Sequence, residues 1–156
     1  MKKWMVLSLL IGLLGWGSLS VIGSGVGAVA GLIVDETGSG LWLIGAMTEL
    51  SITDIFDVRA QIGFATQDIE GLMLVSLSVL PHVVVPPIDL FAGLGLGIAL
   101  TPPPFSTGLV VEGSAGIRLV PADVVSIILQ ARYLLRWTGV ELCYGPVFEG
   151  GILINF

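Results

Sequence analysis

Side-chain polarity alternates residue by residue along most of this chain, and that alternation constrains the fold more than any single motif. Within 41–52, Glu49 and Ser51 share one parity with Gly45 and Met47, whereas Trp42, Ile44, Ala46, Leu50 and Ile52 occupy the other. A period of two is the period of a β-strand. In a water-soluble barrel the apolar parity would point inward, but here the opposite parity carries the arginines, glutamates and glycines. The expected arrangement is an apolar outside against lipid and a polar lumen. Hydrophobic residues make up 54% of the chain and charged residues 12%, with a mean hydropathy of +1.00, outside the range of soluble domains. Membrane lipids are the expected surroundings.

The N-terminus has the three parts of a secretory signal: Lys2 and Lys3, an apolar stretch from Met5 to about Leu14, then small residues. Cleavage after Ser20 or after Ala30 fits the small-x-small rule. Cutting at Ala30 would leave 31–35 as a first strand, shorter than the roughly 9–11 residues that cross a bilayer, so Ser20 is favoured. This divides the chain into a cleavable signal peptide, 1–20, and one barrel domain, 21–156. A helical membrane protein with spans at 5–34 and 72–100 is the competing reading. Gly23, Gly25 and Gly27 make a poor helix interior in the first span, and Pro81, His82, Pro86, Pro87 and Asp89 interrupt the second.

Turn signals cut the remainder into eight strands, at 21–34, 41–52, 58–65, 72–84, 90–100, 109–119, 124–136 and 140–156. The connections form two alternating sets. Those at 53–57, 85–89 and 120–123 hold aspartate just before an apolar strand start, whereas 35–40, 66–71, 101–108 and 137–139 each end on glycine. The chain therefore reads as four hairpins with a repeat of roughly 32–36 residues. The predicted fold is all-β: an eight-stranded antiparallel up-and-down transmembrane β-barrel, with the aspartate set as inner turns and the glycine set as outer loops. Trp42, Phe64, Trp137 and Tyr144 fall on the outward parity toward the outer loops and Phe156 at the opposite rim, where interfacial aromatics belong. The first strand carries no charge, and Gly23, Gly25, Gly27 and Gly31 are assigned to its lumen side. The lone Cys143 excludes an intramolecular disulfide and is read as inward-facing filler.

The signal peptide, the eight alternating strands and the ending Phe148-Glu149-Gly150-Gly151-Ile152-Leu153-Ile154-Asn155-Phe156 resemble the small outer-membrane barrels of the OmpA/OmpX type. The resemblance implies residence in the outer membrane of a diderm bacterium. It also implies that Phe148, Ile152, Ile154 and Phe156 form the signal read by the outer-membrane assembly machinery. Location and topology follow from it, but no activity. The loops are much shorter than those of family members that present extracellular features, which argues against an adhesive role.

Without Lys2 and Lys3 the chain keeps four arginines against twelve acids, a net charge of −8. Glu49, Glu112, Glu141 and Glu149 on the lumen parity match Arg59, Arg118, Arg132 and Arg136, so a neutral interior is predicted. The other acids, Asp57 and Asp89 among them, are assigned to loops and turns. Folding about the predicted turns sets Glu112 opposite Arg132, Arg136 opposite Glu141, and Glu49 diagonal to Arg59. Buried charges demand such pairing, because an unpartnered one is strongly destabilising. The same residues could line an ion pathway, but a barrel of eight strands is only wide enough for its side chains to fill.

Material for catalysis is thin. His82 shares a face with Ser76 and Ser78, yet at about 3.3 Å per residue Ser78 lies roughly 13 Å away along the strand, beyond the contact that a Ser-His-acid site requires. One histidine, one cysteine and dispersed carboxylates show no metal-ligand spacing, and the acidic balance argues against nucleic acid. No enzyme, metal or cofactor is expected, and the barrel is read as a monomer. Phe91 breaks the pattern by falling on the lumen parity, where it is expected to fill the space left by Gly93, Gly95 and Gly97. Pro102, Pro103, Pro104 and Phe105 read as a stiff outer loop. The function read from the sequence is structural, a porin-like barrel of the cell envelope with a lumen filled by its own side chains. The alternative is a narrow conduit or a binder for a small hydrophobic molecule, using the glycine-rich fifth strand and a lateral gap. A lipid-modifying enzyme, with Ser76 or Ser78 meeting His82 across strands, ranks below both.

Overall fold

In the computed structural model the described residues are 23–34, 38, 40–67, 70–101, 106–137 and 142–156, with the side chains of 67, 70 and 142–144 excepted. They form eight strands: β1 (Gly23–Val34), β2 (Gly40–Thr53), β3 (Phe56–Gln67), β4 (Glu70–Val85), β5 (Ile88–Thr101), β6 (Ser106–Ala122), β7 (Val125–Trp137) and β8 (Leu142–Asn155). Each pairs antiparallel with the next, and β8 closes on β1. Closure is a physical requirement in lipid, where an open strand edge would leave backbone N–H and C=O groups without partners. The seam runs from Gly25 opposite Asn155 to Ile33 opposite Val147. Beyond it the Phe156 amide donates to the Ser24 carbonyl at 2.8 Å. Every neighbouring pair of described strands is hydrogen-bonded, and between β4 and β5 the register runs without partners for Leu80 and Pro81.

The strands follow the predicted order and differ at their ends, because the inner connections are tighter than the sequence implied. They shrink to the pairs Asp54-Ile55, Pro86-Pro87 and Asp123-Val124. Outward residues are apolar, as the alternation required: Trp42 is 71% exposed, Leu94 73% and Phe156 77%. Phe64 and Trp137 also face out. The predicted signal peptide and its cleavage site, Glu141, the side chains of Cys143 and Tyr144, and the 102–105 loop lie outside the described residues.

The interior corrects one expectation. The inward parity is not uniformly polar. Ile33, Leu43, Ala65, Leu74, Ala99, Val110, Leu134 and Val147, one residue from each strand, form a buried apolar ring in the half nearer the outer loops. Val29, Met47, Leu80, Phe91, Ile128 and Leu153 form a second, incomplete layer further in. Alternation tells which side of the sheet a residue takes, and the charged residues drew attention away from the leucines and valines that share their side. Burying each such side chain stabilises the barrel by about 1.5–3 kcal/mol.

Candidate functional site in the lumen

Below the apolar ring the inward polar side chains join into one continuous chain. At its outer end Glu112 on β6 accepts from the Ser78 hydroxyl on β4 and pairs with Arg132 on β7 at 2.7 Å. The same guanidinium reaches Glu149 on β8 at 2.6 Å. Glu149 also accepts from the amides of Gln61, at 2.8 Å, and Gln130. The Gln130 carbonyl accepts from Arg59 on β3, which pairs with Glu49 on β2 at 2.6 Å and lies over the Phe91 ring, 4.7 Å from its centroid. Glu49 passes the chain to Arg118 on β6. Arg118 grips Asp57 and Asp89, each at 2.8 Å, and both carboxylates face His82. Seven of the eight strands contribute. The eighth, β1, presents Gly25, Gly27 and Gly31, and a Cβ at Gly31 would stand 2.7 Å from Glu149 Cγ.

Close approach explains where glycine is needed on the facing wall. A Cβ at Gly95 would stand 2.5 Å from Ser78 Oγ and 2.8 Å from Glu112 Cγ, so the Glu112 side chain lies directly on that backbone. Phe91 was expected to fill the space beside Gly93, Gly95 and Gly97 on its own strand. It packs instead against Gly116 on β6, where a Cβ would be 2.5 Å from its Cζ.

The structure departs from the predicted pairings where the turns differ. With the turn at Asp54-Ile55, Glu49 stands directly opposite Arg59 rather than diagonal to it. The turn between β6 and β7 falls at Asp123-Val124, later than predicted, and Ser114 stands opposite Arg132. Glu112 therefore reaches Arg132 along the diagonal, a span that long side chains cover. Arg136, half-buried near the outer end, is in register with Cys143 and donates to Ser106 Oγ at 3.2 Å. The assignment of Asp57 and Asp89 to turns is overturned. They are 0% and 2% exposed, on the inward parity of β3 and β5, two residues before Arg59 and Phe91. The described lumen thus carries five carboxylates, Glu49, Asp57, Asp89, Glu112 and Glu149, with Arg59, Arg118, Arg132 and Arg136. It is not the four-against-four balance the sequence implied. The signal was present, since parity alone placed both aspartates inside, but aspartate beside a turn is so common that its position was read as turn chemistry.

His82 and the serines are not brought together. Ser78 serves Glu112, while His82 Nδ1 lies 3.1 Å from Asp89 Oδ1 and Nε2 lies 3.6 Å from Asp57 Oδ1. At the inner mouth a polar vestibule of about 410 Å³ opens, with Ser24, Glu49, Arg118, Ser126 and Asn155 in its wall. On the outside, a shallow apolar depression of about 620 Å³ overlies Ala92, Gly113, Ala115 and Ala131, rimmed by Leu94, Tyr133 and Phe148. The terminal residues Phe148, Ile152, Ile154 and Phe156 all face outward, between 55% and 77% exposed.

A closed eight-stranded barrel with an apolar exterior and buried charged side chains inside has the fold of the small outer-membrane β-barrels. Several solved structures are similar to it, three of them as follows. Neisserial surface protein A (NspA) matches with a TM-score of 0.67 at 13% identity, over 86% of this chain and 96% of that one. The N-terminal β-barrel domain of Pseudomonas aeruginosa OprF gives 0.63 at 14% identity, over 86% and 97%. Ail, the attachment invasion locus protein of Yersinia pestis, gives 0.57 at 11% identity, over 86% and 98%. No protein-family model and no curated protein sequence matches the chain.

Proposed function

We propose that this protein is an integral outer-membrane barrel of a diderm bacterium with a structural role in the envelope, its lumen closed by its own side chains. The observation that carries the reading is the apolar ring to which every strand contributes one residue, standing between the outer loops and the charged chain beneath. A water-filled path would have to pass between those eight side chains, and a barrel of this strand number has little room beyond them. Export by the N-terminal signal, and insertion through the terminal Phe148, Ile152, Ile154 and Phe156 read by the assembly machinery, complete the proposal. It is supported by the outward orientation of all four terminal residues and by the fold shared with NspA, OprF and Ail.

Planar-bilayer recording of the purified full chain is expected to show no stepwise conductance, and fractionation is expected to recover it with the outer membrane. Discrete current steps from the wild-type protein would overturn the closed-lumen reading. Recovery with the inner membrane would overturn the location.

A further inference from the structure

We propose that the inner end of the lumen binds a divalent transition-metal ion of the zinc type, held by His82 Nε2 and Asp57 Oδ1 and oriented by Asp89. The proposal is independent of whether the barrel conducts. Linear order hides the site, because its members come from three adjacent strands, β3, β4 and β5. One ligand-type atom from each of Asp57, His82 and Asp89 falls within 4.8 Å of the others, and all three residues are buried.

The imidazole is oriented for the task. Asp89 Oδ1 lies 3.1 Å from His82 Nδ1, and in the neutral imidazole whose Nδ1–H donates to it the lone pair is on Nε2. A carboxylate that fixes the tautomer from behind is the usual companion of a metal-binding histidine. Nε2 then faces Asp57 Oδ1 at 3.6 Å, too far for a hydrogen bond. Neither atom has a hydrogen-bond partner, and two unsatisfied polar atoms face each other in a buried place. One ion resolves both: bonds of about 2.0–2.2 Å from each atom span such a gap at an angle of roughly 110–130°, within the range of tetrahedral or trigonal coordination.

Arg118 completes the frame. Its Nη2 holds Asp57 Oδ2 and its Nη1 holds Asp89 Oδ2, both at 2.8 Å, so the remaining Oδ1 of each carboxylate is left to the histidine side. Glu49, Asp57 and Asp89 face two guanidinium groups here, Arg59 and Arg118, so with His82 as the neutral imidazole one negative charge is left for a bound cation. The inner vestibule reaches as far as Glu49 and Arg118, which border the buried site, and an ion with its water ligands would enter from that side. An imidazole paired with a carboxylate suits zinc and its neighbours better than magnesium or calcium, which prefer oxygen throughout.

The test uses the full chain, purified in detergent and stripped with a chelator, then titrated calorimetrically with zinc alone. One ion per chain is expected. His82→Gln should weaken binding at least tenfold, and Asp89→Asn by about 10–100-fold through loss of orientation. His82 is the only histidine in the chain. Imidazole scattering in the X-ray absorption spectrum of the zinc-loaded wild type therefore identifies the site without any variant, even if the variants do not fold. Absence of saturable binding, zinc bound without imidazole scattering, or unchanged affinity in folded His82→Gln would each overturn the proposal.

Discussion

Replacing Arg132 by Met tests the lumen most directly, because this guanidinium is shared by two buried carboxylates. Its side chain is 4% exposed, against 2% for Glu112 and 0% for Glu149. The substitution removes two charge-assisted hydrogen bonds, and the two acids suffer unequally. Glu149 keeps the amides of Gln61 and Gln130, whereas Glu112 keeps only the Ser78 hydroxyl. Leaving a buried charge uncompensated costs about 3–5 kcal/mol, and that is the loss expected for Arg132→Met. Glu112→Gln should cost less, about 1–3 kcal/mol, since Arg132 retains Glu149. The double variant should be less destabilised than the two single losses combined, with a coupling of about 0.5–3 kcal/mol. Urea titration of the folded barrel in detergent reads all three. A loss below about 1 kcal/mol for Arg132→Met, with no coupling, would mean that water reaches these charges and that they are not held in a dry interior.

Three further outcomes are expected. Gly95→Val should lower stability by about 1–3 kcal/mol through overlap with Ser78 and Glu112. Gly113→Ala, where the nearest neighbour of a Cβ is Leu94 Cδ2 at 3.9 Å, should leave the urea midpoint unchanged. An equal effect of the two would show that the Glu112 side chain does not lie on β5. Deleting Phe156 or changing it to Asp should deplete the protein from outer-membrane fractions while Phe156→Leu largely restores it; normal levels of the Asp variant would remove the terminal residue from the assembly argument. Mass spectrometry of the mature protein should find an N-terminus near Val21. A start at Gly31 would delete most of β1, which supplies pairing to both β2 and β8.

The eight strands were legible because lipid and lumen impose opposite demands on successive residues, and a period of two survives any uncertainty about where a turn falls. Register is less robust. Whether Arg132 faces Glu112 or Ser114 depends on the position of a two-residue turn, and the sequence around Val120–Asp123 offers proline, alanine and aspartate without deciding among them. The long side chains absorb the difference, and Glu112 and Arg132 meet by a diagonal contact.

Depth along the barrel axis was legible for the rim aromatics but not for the lumen. Leu43 and Glu49 have the same parity on the same strand, yet one belongs to the apolar ring and the other to the charged chain. Parity separates inside from outside and carries no information about height. Height is set by the stagger of each strand against the next, accumulated around a closed sheet. That stagger makes β2, β3, β4, β5 and β6 converge at the inner mouth, where Arg118 ties together Glu49, Asp57 and Asp89 and both aspartates meet His82. The chemistry of this corner is therefore a property of closure. Any change that shifts the register of one hairpin by two residues would preserve every inward and outward assignment and still take the corner apart.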